Sequence, residues 1–149
     1  MGLRLKDVYT IAFSSDWSPV VYRNDDCDAA KFRHTGLWCQ PVGEKASHYF
    51  YHVQGIQGEF QYQCRVDYNP NTSQKLEKVC DAATTLKSIT SSELKHIMES
   101  VHVAKDREFS CQHWVGNALE KLVEVGLLTQ QQSDDGLDNM LAVVAQARY

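Results

Sequence analysis

Apolar and polar residues alternate with a period of two through the first half of the chain and recur near every 3.6 positions in the second. Between Asp7 and Ser14, the positions Val8, Thr10, Ile11 and Phe13 predict a strand. The run Ser14-Ser15-Asp16-Trp17-Ser18-Pro19 breaks it, since proline has no N–H to give a ladder, and Val20 to Tyr22 forms a short strand beyond. An acidic loop, Asn24-Asp25-Asp26-Cys27-Asp28, reads as solvated, and another strand lies within Thr35 to Pro41 around Leu37-Trp38-Cys39. The strongest β signal is a hairpin: Ser47 to Gln54, a turn at Gly55-Ile56-Gln57-Gly58, then Glu59 to Tyr68. Asn69 to Ser73 is a loop, and Leu76 to Thr85 predicts one more strand.

Helical spacing then takes over. Ser91-Ser92-Glu93 opens a helix carrying Leu94, Ile97, Met98 and Val101. Ser110 is an N-cap residue for the strongest pattern in the chain, in which Cys111, Trp114, Val115, Ala118, Leu119 and Leu122 share a face and Gly126 supplies the stop. Gln130 to Gly136 reads as a polar connector, and a last helix runs from Leu137 to Ala147. These elements make an α+β class, an antiparallel β-sheet packed against helices, in one domain over residues 1–149.

With 149 residues the chain is long enough to bury a core without staples. Its 43% hydrophobic and 23% charged content fits a globular protein rather than a disordered one. A formal charge of −4 gives no global reason to expect nucleic acid. Five cysteines, with no CxxC pair and no apolar leader, point to reduced thiols and a cytoplasmic location. His48, His52, Cys64 and Cys111 are suitable ligand types for zinc, but their spacing is not that of a structural zinc site. No phosphate-cradling glycine loop is present, so no cofactor is expected.

Cys111 is the residue with chemistry. A thiol in a first helical turn meets unpaired backbone N–H groups and the positive end of the helix dipole, both of which favour thiolate. The hairpin offers partners. Alternation and pairing put His48, His52, Gln61, Gln63 and Arg65 on one face and Tyr49, Tyr51, Val53, Tyr62 and Cys64 on the other. A turn centred on Ile56-Gln57 sets His48 opposite Arg65 and His52 opposite Gln61. His113 adjoins Cys111 and points about 100° away on a helix, which unsuits it as a base.

His48-Tyr49-Phe50-Tyr51-His52-Val53-Gln54-Gly55, a second strand, and later Ser110-Cys111-Gln112-His113-Trp114 together resemble a circularly permuted papain-like domain. The NlpC/P60 and lecithin retinol acyltransferase-like families share this order: a His opens a strand, a second polar residue lies on the next, and the catalytic Cys follows at a helix N-terminus. The chain departs from their Asn-Cys-x-x-Phe pattern at Ser110 and Trp114. It is also similar to a set of short fungal proteins with a Cys-Gln-x-Trp helix start. The resemblance implies Cys111 as nucleophile, His48 as general base and Gln63 as the group orienting it, with Gln61, His52, Gln112 and Trp114 toward substrate.

Three function classes follow. The first is cysteine-dependent acyl transfer through a thioester, as a thiol hydrolase or an acyl or aminoacyl transferase. The resemblance extends this branch to a cyclodipeptide synthase that joins an arginyl group from charged tRNA, a partner the net charge disfavours. The second is a catalytically inactive papain-like binding module. The third is a small-molecule or peptide-binding module of another fold, lined by Tyr49, Tyr51 and Tyr62. A small-molecule, peptide or aminoacyl donor is the expected partner, and no membrane is.

Overall fold

The computed structural model describes residues 12–43 and 47–148. Its strands are β1 (Ala12–Phe13), β2 (Ser15–Tyr22), β3 (His34–Pro41), β4 (Tyr49–Gln54), β5 (Gln61–Val66), β6 (Leu76–Val79), β7 (Ala83–Thr84) and β8 (Ile89–Thr90). Its α-helices are α1 (Ser91–Glu99), α2 (Cys111–Glu124) and α3 (Gln130–Val144). The main sheet runs β5-β4-β3-β2-β6, with β7 also on β2, and every pairing is antiparallel. The class is α+β.

Alternation sorts the sheet into two faces. Trp17, Val21, Leu37, Cys39, Tyr51 and Val53 point toward the helices and pack on Trp114, Val115, Ala118, Leu122 and Met140. Val20, Tyr22, Trp38 and Phe50 form a smaller cluster on the opposite face. Of the described helices, none is long and apolar enough to cross a membrane.

Several elements differ from the sequence reading. The expected strand from Asp7 lies mostly outside the described residues, and its Ala12–Phe13 end is β1. The expected break at 14–19 is strand, with Pro19 inside β2. The Pro19 carbonyl accepts from Cys80 N at 2.8 Å, so its nitrogen faces the gap between β6 and β7, where no ladder N–H is required. That same gap divides the single strand expected from Leu76 to Thr85. Gln130 to Gly136 is the first half of α3 rather than a connector. Thr129 accepts from Gln132 N while Gln132 reaches back to Thr129 N, and Gln130 and Gln131 donate to Asp134 and Asp135 one turn on.

The hairpin register differs by two residues from the expected one. Its loop runs from Gly55 to Phe60, with Gly55 (φ 120°) and Gly58 (φ 86°) in backbone that favours glycine. His52 therefore pairs with Gln63, and Phe50 with Arg65. An even shift preserves the faces. His52, Gln63 and Arg65 still share one side.

Candidate functional site

Cys111 is the first residue of α2. The Ser110 hydroxyl accepts from His113 N at 3.4 Å, while Ser110 N donates to His113 Nδ1 at 3.0 Å. His113 is thus spent on capping the helix. The Cys111 side chain is 7% exposed and its thiol donates to the Arg33 carbonyl at 3.7 Å. Burial pushes this thiol's pKa up, against the Thr35 hydroxyl and the backbone N–H groups of Thr35, Gln112 and Cys111, which favour thiolate. Burial wins over the helix start, so the resting sulfur is a protonated thiol.

The loop before β3 is held to this helix. Gln112 Nε2 donates to the Ala30 carbonyl at 2.8 Å and to the Arg33 carbonyl at 3.4 Å. Buried Arg33 forks onto Asp28 at 2.9 and 2.8 Å and donates to the Val143 carbonyl at 2.9 Å. The guanidinium holds the Asp28 carboxyl down at about 2. Asp28 therefore anchors a segment that reads in sequence as a merely solvated loop.

A chain of three side chains crosses the other face of the sheet. His34 Nε2 lies 2.8 Å from His52 Nδ1, and His52 Nε2 lies 2.8 Å from Gln63 Oε1. The tautomers follow from the far end. The Gln63 carbonyl oxygen only accepts, so His52 carries its proton on Nε2 and its Nδ1 is bare. His34 must then donate from Nε2, which leaves its own Nδ1 bare, without a hydrogen-bond partner among the described residues. Burial pushes the His34 pKa down to about 4, with His52 adding to it. Burial also lowers the His52 pKa, against the hydrogen bond that His52 donates to Gln63. Both rings are neutral near pH 7.

His34 and Cys111 line one cavity of about 360 Å³, together with Phe32, Gln57, Phe60 and Phe109. A second cavity of about 350 Å³ lies across the histidine pair and is lined by both His34 and His52. His34 stands between the two.

A model of the family of unknown function DUF6540 matches residues 20–129. The chain belongs to that family. The DUF6540 match spans His34, His52, Gln63 and Cys111. No curated protein and no solved structure matches the chain.

In this DUF6540 chain, His48 is not brought to Cys111. Its Nδ1 accepts from Trp38 Nε1 at 2.9 Å and its Nε2 is 4.0 Å from Asp67 Oδ1. It lies four residues before His52, roughly 13 Å along the chain at strand rise, and it lines neither cavity. Gln63 is placed on a histidine, but on His52. Gln61 pairs with Gln54 at the exposed end of β5. Gln112 is committed to backbone carbonyls, and Trp114 is fully buried with its ring 6.0 Å from Tyr62. Those two hold the core together rather than face an open site.

Sequence reasoning missed His34. The signal was present: a histidine opening a strand, with a second polar residue on the next strand. A strand read from Thr35 to Pro41 leaves His34 just outside it, which makes His48 the histidine that opens a strand in the sequence.

Proposed function

We propose that the protein is a cysteine-dependent acyl-transfer enzyme, with Cys111 as nucleophile, His34 as general base and His52, backed by Gln63, as the residue that orients His34. The observation that carries this reading is the cavity lined by both Cys111 and His34, the one ring of the His34–His52–Gln63 chain whose bare Nδ1 has no hydrogen-bond partner among the described residues. His34 on β3, His52 on β4 and Cys111 on a later helix start follow the strand, strand, helix order of the permuted papain-like families.

In the resting site the thiol rests on the Arg33 carbonyl, so attack begins with rotation of the sulfur into the cavity. The Cys111 sulfur adds to the acyl carbonyl as its proton passes to His34 Nδ1. The first-turn N–H groups of Cys111 and Gln112, unused by the helix, face the developing oxyanion. Collapse gives the thioester, and the leaving group departs with the proton from His34. Water or an amine then adds to the thioester, gives its proton to His34, and the thiol is restored. Throughout, His52 Nδ1 accepts from His34 Nε2 and stabilises the imidazolium, a role a neutral third residue can fill.

The test is acetylation by p-nitrophenyl acetate, read by intact and peptide mass spectrometry. One acetyl group on Cys111 is expected. The acetylation rate should fall about 100-fold in His34→Ala, the lower end for loss of a general base, and hold within about twofold in His48→Ala. Acetyl groups scattered over lysines, or a rate that depends on His48 and not His34, would reject the assignment.

A further inference from the structure

The cavity on the far side of the histidine pair has a charge pattern the acyl-transfer chemistry does not use. Arg23, Arg65 and Lys75 line it, and a single carboxylate, Asp26, faces them. In a chain of net charge −4, none of these three cations has a carboxylate within ion-pair distance among the described residues, whereas Arg33, Lys95 and Lys121 do. Two of the three are also held in place. The Arg65 guanidinium lies 3.9 Å over the Tyr68 ring, and Arg23 Nη2 donates to the Gln74 carbonyl at 2.8 Å, with its other guanidinium N–H groups unspent among the described residues. Tyr22 and Tyr68, their hydroxyls 3.0 Å apart, floor the space beside neutral His34 and His52.

We propose that this cavity binds an anionic oxygen group of the substrate, phosphate or carboxylate, between Arg23, Arg65 and Lys75. Three cations around one cavity, none with a carboxylate in ion-pair distance among the described residues, favour such a group, and forked guanidinium donors fit its paired oxygens. The cavity holds one such group rather than an extended backbone. Exposed Asp26 in its lining, with exposed Asp25 next to it in sequence, opposes a long polyanion. The anion would sit one imidazole away from the Cys111 cavity, so a substrate anchored here presents its reacting end past His34. This placement rests on the acyl-transfer reading. Binding of the anion does not.

The experiment is a titration of the full chain with inorganic phosphate and, separately, with acetate, read by NMR of the histidine side-chain nitrogens. Saturable shifts of His34 and His52 are expected with at least one anion, and the tighter of the two identifies the group. Binding should weaken about tenfold in Arg23→Gln/Arg65→Gln/Lys75→Gln, whose altered side chains are exposed, and should be unchanged in Cys111→Ala. Failure to saturate with either anion, or equal binding by the triple variant, overturns the proposal. Loss of acetylation with anion binding intact would strike the nucleophile assignment alone. Saturable shifts from a short RNA but from neither small anion would also overturn it.

Discussion

At the scale of single residues, protonation is set by contacts that sequence spacing does not reveal. A thiol at a helix start is expected to be acidic, yet burial raises the Cys111 pKa, and the thiol of buried Cys39 is pushed up to about 12. Cys39 also has a hydroxyl beside its sulfur, that of Ser15, which already accepts from Trp17, whereas Cys111 meets the Thr35 hydroxyl and the backbone N–H groups of Thr35, Gln112 and its own helix start. The Thr35 hydroxyl has no other hydrogen-bond partner among the described residues and lies beside the Cys111 sulfur, ready to stabilise charge that forms there. Thr35→Val should therefore slow Cys111 alkylation by about tenfold, measured with iodoacetamide, because it removes one hydrogen bond to a charged group. Gln63 acts through His52. Gln63→Glu adds a carboxylate that raises the His52 pKa, so the low-pH limb of the acylation profile should move upward, while Gln63→Leu should lower the rate without that displacement.

Among the elements, what was legible depended on whether local or distant residues decided the structure. Ser110 and Gly126 bound α2 as read from the sequence, because capping is a contact over three residues and Gly126 adopts φ 82° at the stop. Ser110→Ala should destabilise the fold by about 1 kcal/mol, read by denaturant unfolding. Thr129→Ala should cost a similar amount, because Thr129 caps a helix whose first turns carry no apolar residue and so looked like a linker. Pro19 within β2 was not legible, since its tolerance rests on a gap between two strands some sixty residues on. The hairpin faces were legible and its register was not: alternation survives a shift of two, but the choice of partner depends on the loop.

In the whole molecule, two faces of one sheet do different work. The helices bury the Trp114 side and fix where Cys111 sits, and Trp114→Ala should cost about 3–5 kcal/mol by the same unfolding measurement. The opposite face carries His34, which lines both cavities, and His52, which lines one of them. Their folded pKa values are depressed, His34 to about 4, so the unfolded chain binds more protons below the ordinary histidine range. Stability should therefore be lost as pH falls from about 6.5 toward about 4, with less loss in His34→Gln, as thermal melts in that window would show.

The pairing of Cys111 with His34 is the central claim, and the pH dependence of Cys111 alkylation by iodoacetamide tests it most directly, comparing the unaltered protein with His34→Ala. With His34 as base, the unaltered protein should hold a plateau through neutral pH, since the ring is neutral there and takes the thiol proton as sulfur reacts. In His34→Ala the rate should instead climb about tenfold per pH unit with the thiolate fraction. Coincident profiles in the two proteins would mean that His34 does not serve Cys111, and the acyl-transfer assignment would be contradicted.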